Sequence, residues 1–384
     1  MDSSNQKCGC GNSAELVPLQ LKVPTDDCGC QNLKSKTAGD SKNKNFIIDE
    51  IQTPAGMIPR ISTKLDLRDY LGAFKVRWGI GRNNYRVAPG LYAVGTPNEY
   101  SDVFVTANYK LTFDIVRKNL NGLNAWLLIL DTKGVNVWCS AGKGTFGTKE
   151  LVDRIQAVSL GTIVRHRRLI LPQLGATGVA AHLVKEESGF TVIYGPVRIS
   201  EVKSFIQAGY KATKEMRRVN FDWYDRLKLI PNDIVYNIRY LLLLFTVILI
   251  LSGIDASGYS IQQALRSIVP IIKIVAAGYF AGLVFTPLFL PYVPVPNFSF
   301  KGLIIGAALS LFLFLSNSLD GSLLTQCAEI LLILSFSSFL AMNFTGASTY
   351  TSLAGVKKEM KIAVPIQILM AVSAVILFVI EITI

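Results

Sequence analysis

The stretch NVWCSAGKGTFGTKE, Asn136–Glu150, holds the residues whose types and spacing can do chemistry. Cys139 sits between Trp138 and a run of small residues, just past Trp126–Leu130, an apolar run that reads as a buried strand. A phosphate loop needs a glycine five residues ahead of its Gly-Lys pair and a Ser or Thr after the lysine. Val137 and Gly144 occupy those places here, so magnesium would find no hydroxyl and a nucleotide site is rejected. A Cys–His nucleophile would have to draw on His166 or His182, the only two histidines, and nothing in the sequence places either near Cys139. A third chemistry is a single thiolate ligand to a large, flat metallocofactor. Ser140, Ala141, Gly142 and Gly144 would let backbone approach a macrocycle closely, and a helix starting just after Cys139 would favour thiolate. The plain alternative is a small buried cysteine that only packs.

The elements that must position this loop alternate. Leu91–Gly95 and Asp102–Thr106 are short apolar runs bounded by turn residues. Lys110–Leu120 and Thr148–Leu160 have helical spacing; RLILPQL and FTVIYGPVR read as strands, and SEVKSFIQAG as a capped helix ending in glycine. Strands alternating with helices predict an α/β domain with a mainly parallel sheet, Rossmann-like in plan. Ligands of such sheets bind beyond the carboxyl ends of the strands, which is where the cysteine loop falls.

Of the 384 residues, half are apolar, and the formal charge is +12. Both figures are local. From about Ile238 onward the chain is mostly apolar, with segments near 236–254, 267–290, 302–318, 323–344 and 362–383 that approach the length of a bilayer crossing. Most of the basic excess precedes them: Lys203, Lys211, Lys214, Arg217, Arg218, Arg226 and Lys228 crowd the approach to the first. Scattered basic residues without interleaved aromatics argue against nucleic acid and for the cytoplasmic flank of a membrane domain, attracted to anionic lipid. Met1–Gln20 lacks the apolar core of a signal peptide. The expected plan is therefore a tail over 1–45, a cytoplasmic α/β domain over 46–225 and an all-α transmembrane domain of about five helices over 226–384. The carboxyl terminus would lie outside the cytoplasmic membrane. Two loops agree: the fourth carries Lys357, Lys358 and Lys361, whereas NSLDGS in the third has no Lys or Arg. Arg239 falls near the end of the first span, where snorkelling is cheap. Lys273 and Glu329 fall within spans, as functional charges, as a snorkelling lysine or as a Lys–Glu pair that fixes helix packing.

The tail reads as disordered and carries two CxC pairs, Cys8/Cys10 and Cys28/Cys30. Their spacing fits neither a zinc ribbon nor a ferredoxin cluster. They are exposed thiols or a catch site for a soft metal ion.

Several long words of the sequence resemble one superfamily: LDTKGVNVWCSAGKGTFGT around the cysteine, Ala88–Asp114, Arg168–Phe190 and Val192–Val202. They are similar to the corrinoid domain of the large subunits of the corrinoid iron–sulfur protein. More narrowly, they resemble the corrinoid proteins of microbial mercury methylation, the HgcA family. The NVWC signature and the five apolar segments point to the narrower family, and no amino-terminal cluster motif of the soluble carrier is seen. Ser140 departs from that family, which more often has alanine there, and the CxC tail is not expected of it.

The resemblance implies a cobalamin-type corrinoid bound base-off, with Cys139 as the lower axial ligand to cobalt. It implies a cap of Asn136, Val137, Trp138, Ser140, Ala141, Gly142 and Lys143, with Thr145 on the corrin or capping the next helix. Gly195, Pro196, Val197 and Arg198 would close the far side, Gly195 by close backbone approach and Arg198 on a corrin amide or in solvent. The implied activity is a corrinoid-dependent methyltransferase, passing methyl from cysteine-ligated cobalt to Hg(II). Its implied partners are a methyltetrahydrofolate-linked donor and a ferredoxin-like protein with two [4Fe–4S] clusters, HgcB, as electron donor. Two alternatives stand beside it: a membrane-bound corrinoid methyl carrier with another acceptor, and a transporter regulated by its α/β part.

Overall fold

The computed structural model describes residues 45–255, 258–344 and 353–383. The four cysteines of the CxC pairs, and the tail expected around them up to residue 44, lie outside the described residues.

A seven-stranded mixed sheet forms the first half. Its strands are β1 (Ile47–Thr53), β2 (Gly56–Ile61), β3 (Gly90–Val94), β4 (Val103–Ala107), β5 (Ala125–Leu130), β6 (Arg168–Leu171) and β7 (Thr191–Tyr194), in the order β1-β2-β3-β5-β4-β6-β7. The β5-β4-β6-β7 half is parallel throughout, β2 is parallel to β3, and β1–β2 and β3–β5 are antiparallel. Interleaved with the strands are α1 (Leu67–Arg77), α2 (Lys110–Asn119), α3 (Val137–Gly142), α4 (Thr148–Ala157), α5 (Leu160–Ile163), α6 (Ala181–Ser188) and α7 (Val202–Gln207).

Residue alternation on the strands sends side chains to two cores. Trp126, Leu128 and Leu130 of β5 meet Val137, Ala141, Leu151, Ile155 and Val184 on one face. Ala125, Leu127 and Ile129 meet Phe113, Val116, Val202 and Phe205 on the other. Both faces of β5 are covered, so every one of its six residues is buried and the strand reads as an unbroken apolar run. Three boundaries differ from expectation. The helix over Thr148–Leu160 is two, because Ser159 takes φ 49° and breaks it before α5. The strand FTVIYGPVR ends at Tyr194, leaving Gly195–Arg198 as a loop. The last helix has no side-chain cap: a 3₁₀ turn over Ile199–Glu201 leads straight into α7.

The second half is helical: α8 (Trp223–Leu227), α9 (Ile230–Leu251), α10 (Ile261–Arg266), α11 (Ile268–Phe280), α12 (Thr286–Leu288), α13 (Phe298–Leu315), α14 (Leu323–Asn343) and α15 (Leu353–Thr383), with a small hairpin of β8 (Ile254–Asp255) and β9 (Gly258–Tyr259). Five stretches, Trp223–Ile250, Ile268–Leu288, Phe298–Leu315, Leu323–Asn343 and Gly355–Glu381, are long and apolar enough to cross a bilayer. The helix α14 packs against α11, α13 and α15. Close approach depends on glycine. A Cβ at Gly278 would lie 2.8 Å from Phe336 Cβ, and one at Gly282 2.9 Å from Ser337 O.

Charges among these helices are partnered, and not as expected. Lys273 pairs with Asp320 at 2.7 Å and donates to Ser318 O. Glu329 accepts instead from the Asp320 amide at 3.3 Å. Among the described residues no direct Lys273–Glu329 pair forms; Asp320 meets both, Lys273 through its carboxylate and Glu329 through its amide. Arg239 lies over the rings of Tyr236 and Tyr240 and donates to Tyr240 Oη.

Candidate cofactor site

The loop after β5 is built around one buried amide. Asn108, just past the end of β4, accepts from the backbone of Thr132 (3.2 Å) and Gly134 (2.9 Å) through Oδ1 and donates to Asp131 through Nδ2. Lys133 and Gly134 take φ of 58° and 75°, so the chain turns back sharply here. Glu150 of α4 accepts from the Asp131 amide at 2.8 Å and pairs with Arg154, fixing the loop from the other side. Burial pushes the Asp131 carboxyl up, but the amide and ammonium of Lys133 and the Asn108 amide hold it below the usual aspartate range.

This frame delivers Asn136 to the N-cap of α3, where its Oδ1 accepts from the Cys139 amide at 2.9 Å. Cys139 is therefore inside the first turn of α3 rather than ahead of a helix, because the Asn136 cap starts the helix at Val137. Its thiol is free and exposed. The small residues that follow divide. Ser140 is buried, and its hydroxyl donates to Asn136 O at 2.6 Å. Ala141 is buried where a Cβ on Gly178 would come within 2.9 Å of its Cα. Their size serves the packing of α3 on the neighbouring loop. Gly142 and Gly144 have open space around them, Gly144 with φ 79°, and Lys143 is exposed. Thr145 does not cap α4: its hydroxyl reaches back to Ser140 O at 3.5 Å, and the N-cap is Gly147.

A cavity of about 550 Å³ opens at the carboxyl ends of β4 and β6. Asn136, Val137 and Trp138 form one wall and Gly195–Arg198 another. The structure thus brings together two loops that are nearly 60 residues apart in sequence. Ser140, Ala141, Gly142, Lys143 and Thr145 are not part of the lining; Cys139 directly follows it. Two residues of the Gly195–Arg198 wall have partners that the sequence did not reveal. A side chain at Gly195 would press on Ile170 Cγ2 at 3.3 Å, so this glycine is needed by the packing of the sheet. Arg198 is taken up by Asp225 at 2.6 Å and Asp222 at 3.1 Å, and donates to Asn220 O. These partners lie on the segment that enters the apolar helices, so the loop is tied to that segment rather than free in solvent.

Sequence reasoning missed the remaining walls. Thr112 and Asn119 of α2 face the cavity, as do Val219, Asn220 and Lys228. Gln173 stands between Pro172 and Leu174, which both line it, and its Oε1 is buried without a hydrogen-bond partner among the described residues. A lone amide in the apolar run RLILPQL was the available signal.

The donor set suits a macrocyclic metal cofactor. Among the described residues no three His, Cys, Asp or Glu side chains converge on a metal position. A metal at Cys139 would take one thiol from the protein and its other donors from a ring. The cavity supplies apolar walls for the ring and, in Asn119 and Asn136, polar groups for its amides.

A model of the family described as CO dehydrogenase/acetyl-CoA synthase delta subunit matches residues 77–206. The acetyl-CoA decarbonylase/synthase complex subunit gamma of Archaeoglobus fulgidus is 31% identical over 131 residues, 34% of this chain and 27% of that protein. That of Methanopyrus kandleri is 33% identical over 128 residues, 33% of this chain and 27% of its own. The corrinoid/iron–sulfur protein large subunit of Moorella thermoacetica is 31% identical over 125 residues, 32% of this chain and 28% of its own. The chain thus spans little more than a quarter of the length of these relatives. The family match holds β3 to α7 and both walls of the cavity, and stops before the apolar helices.

Proposed function

We propose that this chain is a membrane-held, corrinoid-dependent methyltransferase whose Cys139 thiol would hold the cobalt and whose methyl acceptor is Hg(II). The observation that carries this is the exposed Cys139 thiol in the first turn of α3, adjoining a cavity walled by Asn136–Trp138 and Gly195–Arg198. The likeness to the corrinoid/iron–sulfur protein large subunit over that same stretch supports it.

When bound, the corrinoid supplies a cobalt centre able to accept and release a methyl group. The protein's residues set ligation and access. Asn136 holds the Cys139 amide and so fixes the thiol in the first helical turn. Ser140 locks that turn from inside through its bond to Asn136 O. Trp138 and Val137 offer apolar surface to the ring. Arg198, held by Asp222 and Asp225, keeps the far wall against the cavity. The electron donor is the two-cluster ferredoxin-like partner and the methyl source a methyltetrahydrofolate-linked donor. The chain is multi-pass in the cytoplasmic membrane, with the α/β part inside and the carboxyl terminus outside, as the basic approach to α9 and the Lys357, Lys358 and Lys361 cluster favour.

Replacing Cys139 by Ala abolishes methylmercury formation in cells while the protein stays in the membrane. Undiminished methylation by that variant refutes the ligand role. Changing Cys8, Cys10, Cys28 and Cys30 together costs far less, and a complete loss there would make the tail part of the reaction. The names of the relatives, drawn from acetyl-CoA complexes, favour a second reading with the same cofactor and another acceptor. Methyl-transfer assays with Hg(II) and with competing thiols separate the two.

A further inference from the structure

Helix α1 is built inside out. Leu67, Leu71, Phe74 and Trp78 recur at i, i+4, i+7 and i+11, one stripe along a helix. In a soluble domain such a stripe faces the core. Here Leu67 is 73%, Leu71 50% and Phe74 61% exposed, with Tyr70 at the edge of the stripe 53% exposed. The face turned to the protein is the other one. It carries Val76, which is buried, Gly72, which abuts Tyr85, and Asp69, which reaches Lys110 at 2.6 Å and Arg117 at 2.5 Å. The helix is capped at both levels: the Asp66 carboxylate accepts from the Asp69 amide, and Asp69 accepts from the Asp66 amide. It is thus firmly held while Leu67, Leu71 and Phe74 of its stripe are uncovered among the described residues, with Trp78 half-buried.

Charge and position identify what covers it. Arg68 and Lys75 flank the stripe on one side and Arg77 on the other, with Lys64 just before the helix. The acidic Asp69 is turned away into the protein. The end of α1 is fixed to the beginning of the first apolar helix. Arg82 Nη1 donates to Asn232 Oδ1 of α9 at 2.9 Å, and a Cβ on Gly79 would touch Val235 Cγ1 at 3.7 Å. From Val235 to Leu251 the helix α9 has close to the rise needed to span hydrocarbon, ~1.5 Å per residue. Tyr236, Arg239 and Tyr240 follow at the level where aromatic and basic residues mark a membrane boundary. The C-terminal end of α1, with exposed Ile80 just beyond it, therefore adjoins the start of α9.

We propose that α1 is an interfacial helix, its Leu67/Leu71/Phe74/Trp78 stripe seated in the bilayer surface on the α/β side, with Arg68, Lys75 and Arg77 against anionic headgroups. This rests on the reading of α9 and its fellows as membrane spans. It fixes the orientation of the α/β domain: two attachments, α1 and α9, hold it to the surface.

The test uses the full chain with its native cysteines replaced by serine, in nanodiscs of mixed phosphatidylcholine and phosphatidylglycerol. Nitroxide labels are placed singly at Leu71→Cys, Phe74→Cys, Glu186→Cys on the exposed face of α6 and Leu243→Cys on the exposed face of α9. Relaxation by oxygen and by a water-soluble nickel chelate is compared at each. The expected result is oxygen dominating severalfold at 71, 74 and 243, and nickel dominating at 186. Nickel dominating at 71 and 74 with 243 in lipid overturns the inference and leaves the spans standing; that face then serves solvent or a protein. Nickel dominating at 243 as well removes the membrane reading itself. On the anionic discs the Arg68→Gln/Lys75→Gln/Arg77→Gln variant loses part of the oxygen preference at 71. An unchanged ratio there contradicts the headgroup contacts.

Discussion

The two halves of this molecule use the same apolar side chains in opposite ways. In the α/β half Leu128 of β5 is 0% exposed, covered by helices on one face and part of a strand buried on both. In the helical half Leu243 of α9 is 64% exposed, and so are many of its neighbours. The proposed membrane reading accounts for the difference by the solvent that each half meets. In water an apolar side chain is stabilised by burial against protein; in a bilayer the lipid already solvates it, and packing must come from close contact. Glycine divides less cleanly. Among the helices Gly278 and Gly282 bring neighbours together, while in the α/β half glycine serves both turns, as at Gly134, and close packing, as at Gly178.

The sharpest break of that contrast is a charge inside the α/β half. Arg117 is fully buried and bonded to Asp69, Asp114 and the carbonyls of Ser62 and Lys64. Removing it leaves two carboxylates short of a cation, so Arg117→Ala is expected to cost about 3–5 kcal/mol in chemical denaturation of the α/β half. A loss below 1 kcal/mol would show that water enters the cluster. Next comes the paired truncation. Leu128→Ala is expected to cost about 2–5 kcal/mol, and Leu243→Ala no more than about 0.5 kcal/mol in lipid. Equal costs would mean that α9 is covered by protein and that the contrast is false.

A smaller effect is tied to pH. Burial pushes the Asp69 carboxyl up, but Lys110, the Asp66 amide and Arg117 hold it below the usual aspartate value. A depressed carboxylate contributes stability that is full above its unfolded pKa and lost as pH falls through its folded one. The wild type should thus lose thermal stability as pH drops below about 4, while Asp69→Asn, weaker at neutral pH, lacks that part of the slope. Parallel profiles would contradict the ion cluster's role. The smallest expected change is at the join of the halves. Arg198→Gln releases partly exposed carboxylates and should cost about 1 kcal/mol or less, yet it loosens the far wall of the cavity and should speed cofactor loss. Unaltered retention would make the Arg198 pairs incidental.

Much of the parallel half was legible because buried strands leave continuous apolar runs; β3, β4 and β5 fall where Leu91–Gly95, Asp102–Thr106 and Trp126–Leu130 placed them, within a residue or two. The five apolar helices were legible for the same reason. The β1–β2 hairpin was not, since IIDEIQT is mostly half-buried or exposed and carries charge. Neither was α1, whose stripe faces away from the core. In the site, the NVWC words led to the loop, but the fate of its small residues depended on partners elsewhere: Gly178 behind Ala141, Ile170 behind Gly195 and Asp225 beside Arg198. Such pairings come from tertiary packing, which local pattern does not encode.

The proposed bond between the Cys139 sulfur and cobalt is tested most directly by cobalt content and absorption and EPR spectra of the purified full chain, wild type beside Cys139→Ala. The expected result is a corrinoid in the wild type and a changed axial signature, or loss of the cofactor, in the variant. A wild-type protein free of corrinoid, or two identical spectra, would contradict it.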